Sequence, residues 1–531
     1  MSQFIFITGG VISGLGKGVA AASIGALLES MGHKISFIKL DPYLNVDPGT
    51  MNPFQHGEVF VTQDGIETDL DLGHYERFTN AIIKKINNVT AGKLYSQLLE
   101  KERNGEFLGK TIQTIPHLTN EIKESIYTAS KNSEITIVEI GGTIGDIEGL
   151  PFIEAIRQIG LENENCVFIH LTYVPYIKFA QELKTKPTQH SVKALLSLGI
   201  HPQILICRSE QELPVEIKKK IALFTNVKES DVVSAPDLEI VYELPLLFEK
   251  QMFHKSLEKF LNLKTKPNLE KWQKIIGTLK TLKNTIKIAI VGKYTDLKDS
   301  YKSIHEALIH AQISNNAKIN IDWINAEDLT QENVKEKLKN SHGILIPGGF
   351  GLRAVEGKIL ATQFARENKI PFLGICLGMQ VAVIEFTRNV LNFKNANSTE
   401  FDSKTEHPII KILQEQKDIK IKGATMRLGN QTCKIQKGTK AFEIYKNENI
   451  LERHRHRYEV NPEYVKLLER NGLKISGIYE KENLTEIIEL ENHPFFVASQ
   501  FHPEFKSKLF EPHPLFVEFV KASEMIKGTN F

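Results

Sequence analysis

The stretch Phe372-Leu373-Gly374-Ile375-Cys376-Leu377-Gly378 decides how the second half of this chain is read. An apolar run ends in Gly-x-Cys-x-Gly. A strand with that ending can turn sharply into a helix, because glycines permit the tight backbone and leave the Cys exposed on the turn. Downstream, Phe495-Phe496-Val497-Ala498 leads into Gln500-Phe501-His502-Pro503-Glu504. A His within reach can take the thiol proton, and a carboxylate can orient that His. Cys376, His502 and Glu504 are therefore the expected catalytic set. A lone Cys is more often a small buried hydrophobe; the turn and the partner motif set this one apart.

The same alternation of apolar run, glycine turn and amphipathic stretch extends outward from there. Phe4–Thr8, Ile35–Leu40, Ile135–Ile140, Val167–Leu171 and Ile204–Cys207 read as strands, with helices at Val19–Met31 and Glu121–Lys131. The pattern restarts with Ile286–Gly292, Gly343–Pro347 and Phe372–Ile375. Alternating strands and helices predict an α/β fold of two parallel-sheet domains, the first P-loop-like. The expected boundaries are 1–266, a Lys-rich join at 267–285, and 286–531. Within the join, Leu269–Leu282 could form a connecting helix. No internal repeat or low-complexity tract is visible.

At 531 residues the chain is too long for one core. A net charge of +2 gives no global reason to expect nucleic acid, and Lys264–Lys283 reads as solvated linker or helix surface. Cys166, Cys207, Cys376 and Cys433 form no close pair, so neither a zinc cage nor a redox motif is suggested. Cys166 and Cys207 lie in or beside apolar runs and are expected to be inert. The first residues read as a buried strand rather than a signal peptide, and no run approaches a membrane span. The expected compartment is the reducing cytoplasm, where sequons such as Asn88-Val89-Thr90 carry no glycosylation meaning.

Gly9-Gly10-Val11-Ile12-Ser13-Gly14-Leu15-Gly16-Lys17-Gly18 follows the first strand and precedes a helix. Small residues let backbone N–H groups converge on phosphate oxygens, the helix N-terminus adds favourable partial charge, and Lys17 can reach the terminal phosphates. The loop is not a standard Walker motif: its spacing is one residue too long, and Gly18 stands where a Ser or Thr is usual. Magnesium would then rest mainly on carboxylates elsewhere. Asp69, Asp71 and Glu139, the last at the end of an apolar strand, are the candidates. For Asp69 and Asp71 a solvated turn is an equal alternative.

Pro347-Gly348-Gly349-Phe350-Gly351, Gly374 to Gln380 and His502-Pro503-Glu504 together resemble a class I glutamine amidotransferase. That resemblance implies an oxyanion hole at Gly348-Gly349 and the amide after Cys376, which needs no bulky side chain in the way. Leu40 to Met51, His56 to Val61, Asp69 to Phe78, Glu139 to Glu148, Lys184 to Lys193 and His454 to Glu459 extend the likeness. Along nearly the whole chain the sequence resembles the CTP synthase family. The resemblance implies ATP-dependent phosphorylation of O4 of UTP, then displacement of that phosphate by ammonia from glutamine. It implies ATP contacts at Gly14, Leu15, Gly16, Lys17, Gly18, Val19 and Asp71, adenine contacts at Pro236, Asp237 and Leu238, and magnesium on Asp71 and Glu139. UTP contacts are implied at Ser13, Lys184, Thr185, Lys186, Pro187, Thr188, Gln189 and Lys220. The feedback inhibitor CTP would meet Asp146, Ile147 and Glu148. Glutamine would be held by Gly349, Leu377, Gly378, Met379, Gln380, Glu400 and Arg457. GTP is implied as an activator, with Arg353 a candidate contact, and a homotetramer as the assembly.

The chain departs from the family pattern at Gly14, where many members carry Ser, at Pro236, where Lys is frequent, and at Thr405–Lys422, which reads as a shortened loop. His454-Arg455-His456-Arg457 could alternatively be a nucleic-acid patch, but it lacks aromatic interleaving and a basic domain. Two other readings compete: a glutamine-dependent synthetase of the cobyrinic acid amidase type, and a P-loop filament or binding protein with an inert amidase domain. The first does not predict Lys184 to Gln189; the intact Cys376, His502 and Glu504 oppose the second.

Overall fold

The first apolar runs become the middle of a parallel sheet. A computed structural model describes residues 2–49, 51, 56–412 and 425–527. It divides into two compact units: residues up to Pro48 with Asp71–Ile276, and Gly49–Leu70 with residues from Gly277 onward.

In the first unit, seven strands run in the order Val232–Pro236, Ile204–Ser209, Cys166–Tyr173, Gln3–Gly9, Ile135–Ile140, Ile35–Asp41 and Asn88–Thr90, all parallel. Every residue of Ile135–Ile140 is buried, as expected for a strand covered on both faces. Helix Lys17–Ser30 packs tightly on the sheet: a Cβ on Gly25 would lie 2.4 Å from Phe37 Cζ. The Lys-rich join contains helix Glu270–Thr281, whose Trp272 is 5.7 Å from the Phe78 ring and 6.4 Å from Tyr242. An aromatic anchor thus carries the first unit past residue 266, to Ile276. Gly49–Leu70 also belongs to the second unit, so the units are not two contiguous stretches of chain.

In the second unit, nine strands among the described residues form one sheet. Ala317–Asn325, Asn284–Gly292, Gly343–Ile346, Phe372–Ile375 and Phe496–Ser499 are parallel. Leu484–Leu490, Leu473–Tyr479, Arg427–Ile435 and Asn449–His456 continue it antiparallel. The parallel part matches the expected architecture; the antiparallel extension was not foreseen. Leu473–Tyr479 and Leu484–Leu490 pair through a short loop ending at Asn483, whose φ of 53° suits a tight reversal. Apolar clusters fill both faces. Of the segment Thr405–Lys422, residues 413–422 lie outside the described residues, as does Thr50.

Candidate active sites

Cys376 is the single residue between strand Phe372–Ile375 and helix Leu377–Asn389. Its φ of 53° and ψ of −103° put a residue with a Cβ in a sparsely populated region. The flanking glycines serve a different purpose from the one expected. Neither has positive φ; both allow close approach. A Cβ on Gly374 would lie 2.9 Å from Ala498 Cβ, and one on Gly378 would lie 2.2 Å from the Ile346 carbonyl oxygen. The Cys376 N–H donates to Ser499 O at 2.7 Å, tying the turn to the neighbouring strand.

That strand delivers the partners. His502 Nδ1 is 2.7 Å from Glu504 Oε1, and the Phe505 ring stacks on the imidazole at 5.0 Å. Nε2 is then the nitrogen available to exchange a proton. Burial opposes a charged imidazole, but Glu504 and Cys376 outweigh it and raise His502 to about 10. Gln500 Nε2 donates to Cys376 Sγ at 3.5 Å, while Gln500 Oε1 accepts from Gln380 Nε2 at 3.2 Å. A Cβ on Gly348 would lie 2.9 Å from His502 Cε1 and 3.6 Å from Cys376 Cβ, which places the glycine segment against the pair.

A cavity of about 200 Å³ opens beside these groups, lined among others by Gly348, Gly349, Cys376, His502 and Lys293, with Gly49 and Glu58 from the early segment. Glu400 Oε1 accepts from the Gly351 N–H at 2.6 Å, and Lys293 Nζ donates to the Phe350 carbonyl. Burial raises the Glu400 carboxyl, against the pull of the Gly351 N–H, Lys293 and Lys358. Arg457 donates to Thr425 Oγ1 at 2.9 Å. Burial raises Tyr458, Glu400 adds to that shift and Arg457 opposes it. Leu377, Gly378, Met379 and Gln380 are buried, and the Gln380 amide is spent on Tyr458 O and Gln500. Arg353 donates to Glu327 at 2.8 Å and to Lys293 O at 3.1 Å. His454 and His456 are buried, and Arg455 donates to Glu67 at 2.8 Å, so these residues of the basic run are internal groups.

In the first unit the loop after Gln3–Gly9 is shaped by positive φ at Val11 (79°), Gly14 (68°) and Gly16 (89°). Lys17 Nζ donates to Gly142 O at 2.5 Å. A Cβ on Gly18 would lie 1.9 Å from Asp71 Oδ1: the carboxylate fills the space of the missing hydroxyl side chain. Asp71 begins helix Asp71–Phe78 and is not a solvated turn. Lys39, 3% exposed, bonds Asp71 Oδ2 and Glu139 Oε1, the latter at 2.6 Å, with Asp41 Oδ1 3.9 Å away. Tyr75 donates its hydroxyl to Glu139 Oε2. Burial and Asp71 raise Glu139 to about 7 against the pull of Lys39. Asp71 moves the other way: burial would raise it, but Lys39, His74 and Lys17 hold it below the usual carboxylate range. Lys17 is lowered by burial and by Lys39. No role was expected for Lys39, Asp41 or Tyr75, although Asp41 and Tyr75 lie in the stretches Leu40 to Met51 and Asp69 to Phe78; for Lys39 the signal was a lysine inside the apolar strand Ile35–Asp41.

The remaining expected contacts divide by exposure. Ser13, Asp146, Ile147, Glu148, Lys184, Lys186 and Lys220 are exposed, and Thr143 N–H donates to Asp146 Oδ2 at 2.9 Å. Leu15 is buried and Val19 half-buried. Thr185, Thr188 and Gln189 point inward: Thr188 Oγ1 donates to Tyr173 O at 3.0 Å, and Gln189 Nε2 to Thr185 Oγ1 at 3.0 Å. Pro187 is half-buried at the first turn of helix Lys186–Ser197. Pro236 and Leu238 are half-buried, and Arg208 binds Pro236 O at 3.0 Å and Asp237 at 2.8 Å. Cys207 is fully buried, and burial pushes it and Cys166 up to about 12.

A family model described as "CTP synthase N-terminus" matches residues 3–263, and one described as "Glutamine amidotransferase class-I" matches residues 296–522. A protein named CTP synthase from Hydrogenobaculum sp. (strain Y04AAS1) is 59% identical over 529 residues, 99% of this chain and 98% of the relative. Another from Aquifex aeolicus (strain VF5) is 57% identical over 525 residues, 98% of each. A third, from Bacillus subtilis (strain 168), is 53% identical over 528 residues, 98% of this chain and 99% of the relative.

Proposed function

The chain belongs to the CTP synthase family and makes CTP from UTP, ATP and glutamine, and on that premise we propose how its residues divide the work. Cys376 gives its thiol proton to His502, and its sulfur attacks the carboxamide carbon of glutamine. The backbone N–H groups of Gly349 and Leu377 receive the oxyanion. His502 gives its proton to the departing nitrogen; the C–N bond breaks, and ammonia leaves a thioester on Cys376. Water then attacks the thioester, His502 takes the water proton, and glutamate departs. Glu400 and Arg457 hold the ammonium and carboxylate ends of glutamine. The observation that carries this half is the strained Cys376 turn facing a His502–Glu504 pair at 2.7 Å.

In the first unit, the loop from Gly14 to Val19 and Lys17 cradle the ATP phosphates, with Pro236 to Leu238 at adenine. The γ-phosphoryl group passes to O4 of UTP, which makes that oxygen a good leaving group, and ammonia displaces it at C4. Asp71 and Glu139 would hold Mg2+, which supplies charge neutralisation of the transferring phosphoryl group. The fit is chemical: two hard carboxylates converge on one cation, Lys39 Nζ, and Mg2+ is content with one or two carboxylates plus phosphate and water. Ser13, Lys184 to Gln189 and Lys220 serve UTP; the exposed run Asp146 to Glu148 serves CTP as inhibitor. GTP activates through a site that includes Arg353. The enzyme works as a cytoplasmic homotetramer, with a synthetase domain at 1–266, a linker at 267–285 and an amidotransferase domain at 286–531. Among the described residues no helix is long and apolar enough to cross a membrane.

Magnesium titration of Asp71→Asn and Glu139→Gln tests the metal assignment. Synthesis should need far more magnesium while glutaminase activity persists. A wild-type magnesium dependence in both variants removes these residues from the role.

A further inference from the structure

Lys358 sits where a lysine should not. It lies in the first turn of helix Val355–Glu367, whose N-terminal N–H groups already form a positive end. It is 0% exposed, and its Nζ has no hydrogen-bond partner among the described residues. Lys293 and Arg353 bring like charge to it; Cys376 and Glu400 are the opposing groups. Burial, then Lys293, lowers it to about 7. An unpaired buried ammonium is costly, so such a group persists only where something uses it. A Cβ on Gly349 would lie 3.8 Å from Lys358 Nζ, and the same position is 3.7 Å from Lys293 Cε. Lys293 spends its ammonium on the Phe350 carbonyl, the next residue of the segment. The Lys358 amine is unspent.

We propose that Lys358 is a positioning residue for glutamine hydrolysis: a buried amine against Gly349 that answers the negative charge developing on the substrate oxygen at Gly348-Gly349. The inference rests on the assignment of Cys376 as nucleophile and Gly349 as oxyanion donor. When sulfur adds to the carboxamide carbon, the C=O electron pair moves onto oxygen. The Gly349 N–H meets that charge directly, and the ammonium beside this glycine supports it through the peptide. No bond to Lys358 forms or breaks. Little water intervenes in so enclosed a place, so charge acts strongly at this range.

Lys358→Met in the full-length enzyme keeps an unbranched side chain, one atom shorter, and removes the charge. The glutamine-dependent kcat should fall about ten-fold, less than the loss of a direct oxyanion donor. KM for glutamine should stay within about two-fold, because the charge is needed in the transition state and not in the ground state. Ammonia-dependent synthesis should match wild type. Thermal stability should rise by roughly 2–4 °C, because an unpaired buried amine has been replaced by an apolar side chain. A wild-type kcat overturns the proposal. So does a raised KM with unchanged kcat, which would make Lys358 a ground-state contact, or a lower Tm, which would make it structural. If Lys358→Met does not fold, Lys358→Gln takes the same measurements. Cys376→Ala run alongside separates the two claims: glutamine-dependent synthesis retained there defeats the underlying assignment, whereas its loss beside a wild-type Lys358→Met defeats this inference alone.

Discussion

After strand Gln3–Gly9 the chain enters helix Lys17–Ser30 through a glycine loop; after strand Phe372–Ile375 it enters helix Leu377–Asn389 through one residue, Cys376. Both turns stand at the carboxyl end of a parallel strand, where α/β sheets place their ligands. The first is prepared by charge. Lys17, Lys39, Asp41, Asp71 and Glu139 act on one another: burial raises Glu139 and Asp41 and lowers Lys17, while Lys39 holds Asp71 down against burial. The second is prepared by backbone: a strained φ at Cys376, close approach at Gly374 and Gly378, and one ion pair, His502–Glu504. Polyanionic ATP needs a charge field that it can complete. A neutral carboxamide needs a nucleophile and N–H donors held at fixed positions. The difference in preparation follows from the difference in substrate.

The largest effect is expected at Cys376. Cys376→Ala should abolish glutamine-dependent synthesis, a loss on the order of 10⁵-fold or more, while leaving ammonia-dependent synthesis at wild-type rate. Equal loss of both activities, measured as CTP formed from each nitrogen source, would mean that the two sites do not divide the chemistry. Lys17→Ala is the mirror case. Both activities should fall by roughly 10²–10³-fold, because phosphate charge is no longer offset, with glutaminase activity intact. Normal ammonia-dependent synthesis would remove Lys17 from phosphate binding.

Gly18→Ser sharpens the account of the unusual loop. Its Cβ would stand 1.9 Å from Asp71 Oδ1, so the new side chain must displace the carboxylate. Synthesis should drop about ten-fold and require more magnesium, since a hydroxyl is a weaker metal ligand than the carboxylate it moves. An unchanged magnesium titration curve would show that Asp71 does not need its present place. The smallest effect concerns stability. His502 is raised from 6.5 to about 10, so its proton favours the folded state fully below pH 6.5 and loses that effect as pH rises through 10. In Glu504→Gln, burial should win and His502 should fall. The Tm gap between wild type and Glu504→Gln should therefore be widest below pH 6.5 and close toward pH 10. A gap independent of pH would mean that Glu504 contributes packing rather than charge.

Strand Ile135–Ile140 has the bounds its apolar run announces, and the elbow around Cys376 turns where its motif says. Such signals are local: a covered parallel strand must be continuously apolar, and a nucleophile turn must be short. The function of Gly374 was legible only in part, because close approach to Ala498 depends on a strand more than 100 residues away. Trp272 reads as part of a polar linker until Phe78 and Tyr242 are seen beneath it. The resemblance implies UTP contacts at Thr188 and Gln189; that Thr188 is tied to Tyr173 O and Gln189 to Thr185 Oγ1 is visible only in three dimensions.

The amino-acid order alone carries the repertoire: strand and helix patterns of two α/β sheets, a phosphate loop lacking its hydroxyl, and the separate Cys and His–Glu motifs, each written in a few neighbouring residues. How distant groups meet is settled by the folded chain. Asp71 lies in the space beside Gly18, Lys39 joins Asp71 to Glu139, and Lys358 is enclosed against Gly349. Periodicity and turn chemistry act over a few bonds and leave a pattern in the chain. Electrostatic and steric complementarity act through space, between residues whose separation along the chain bears no relation to their separation in the fold.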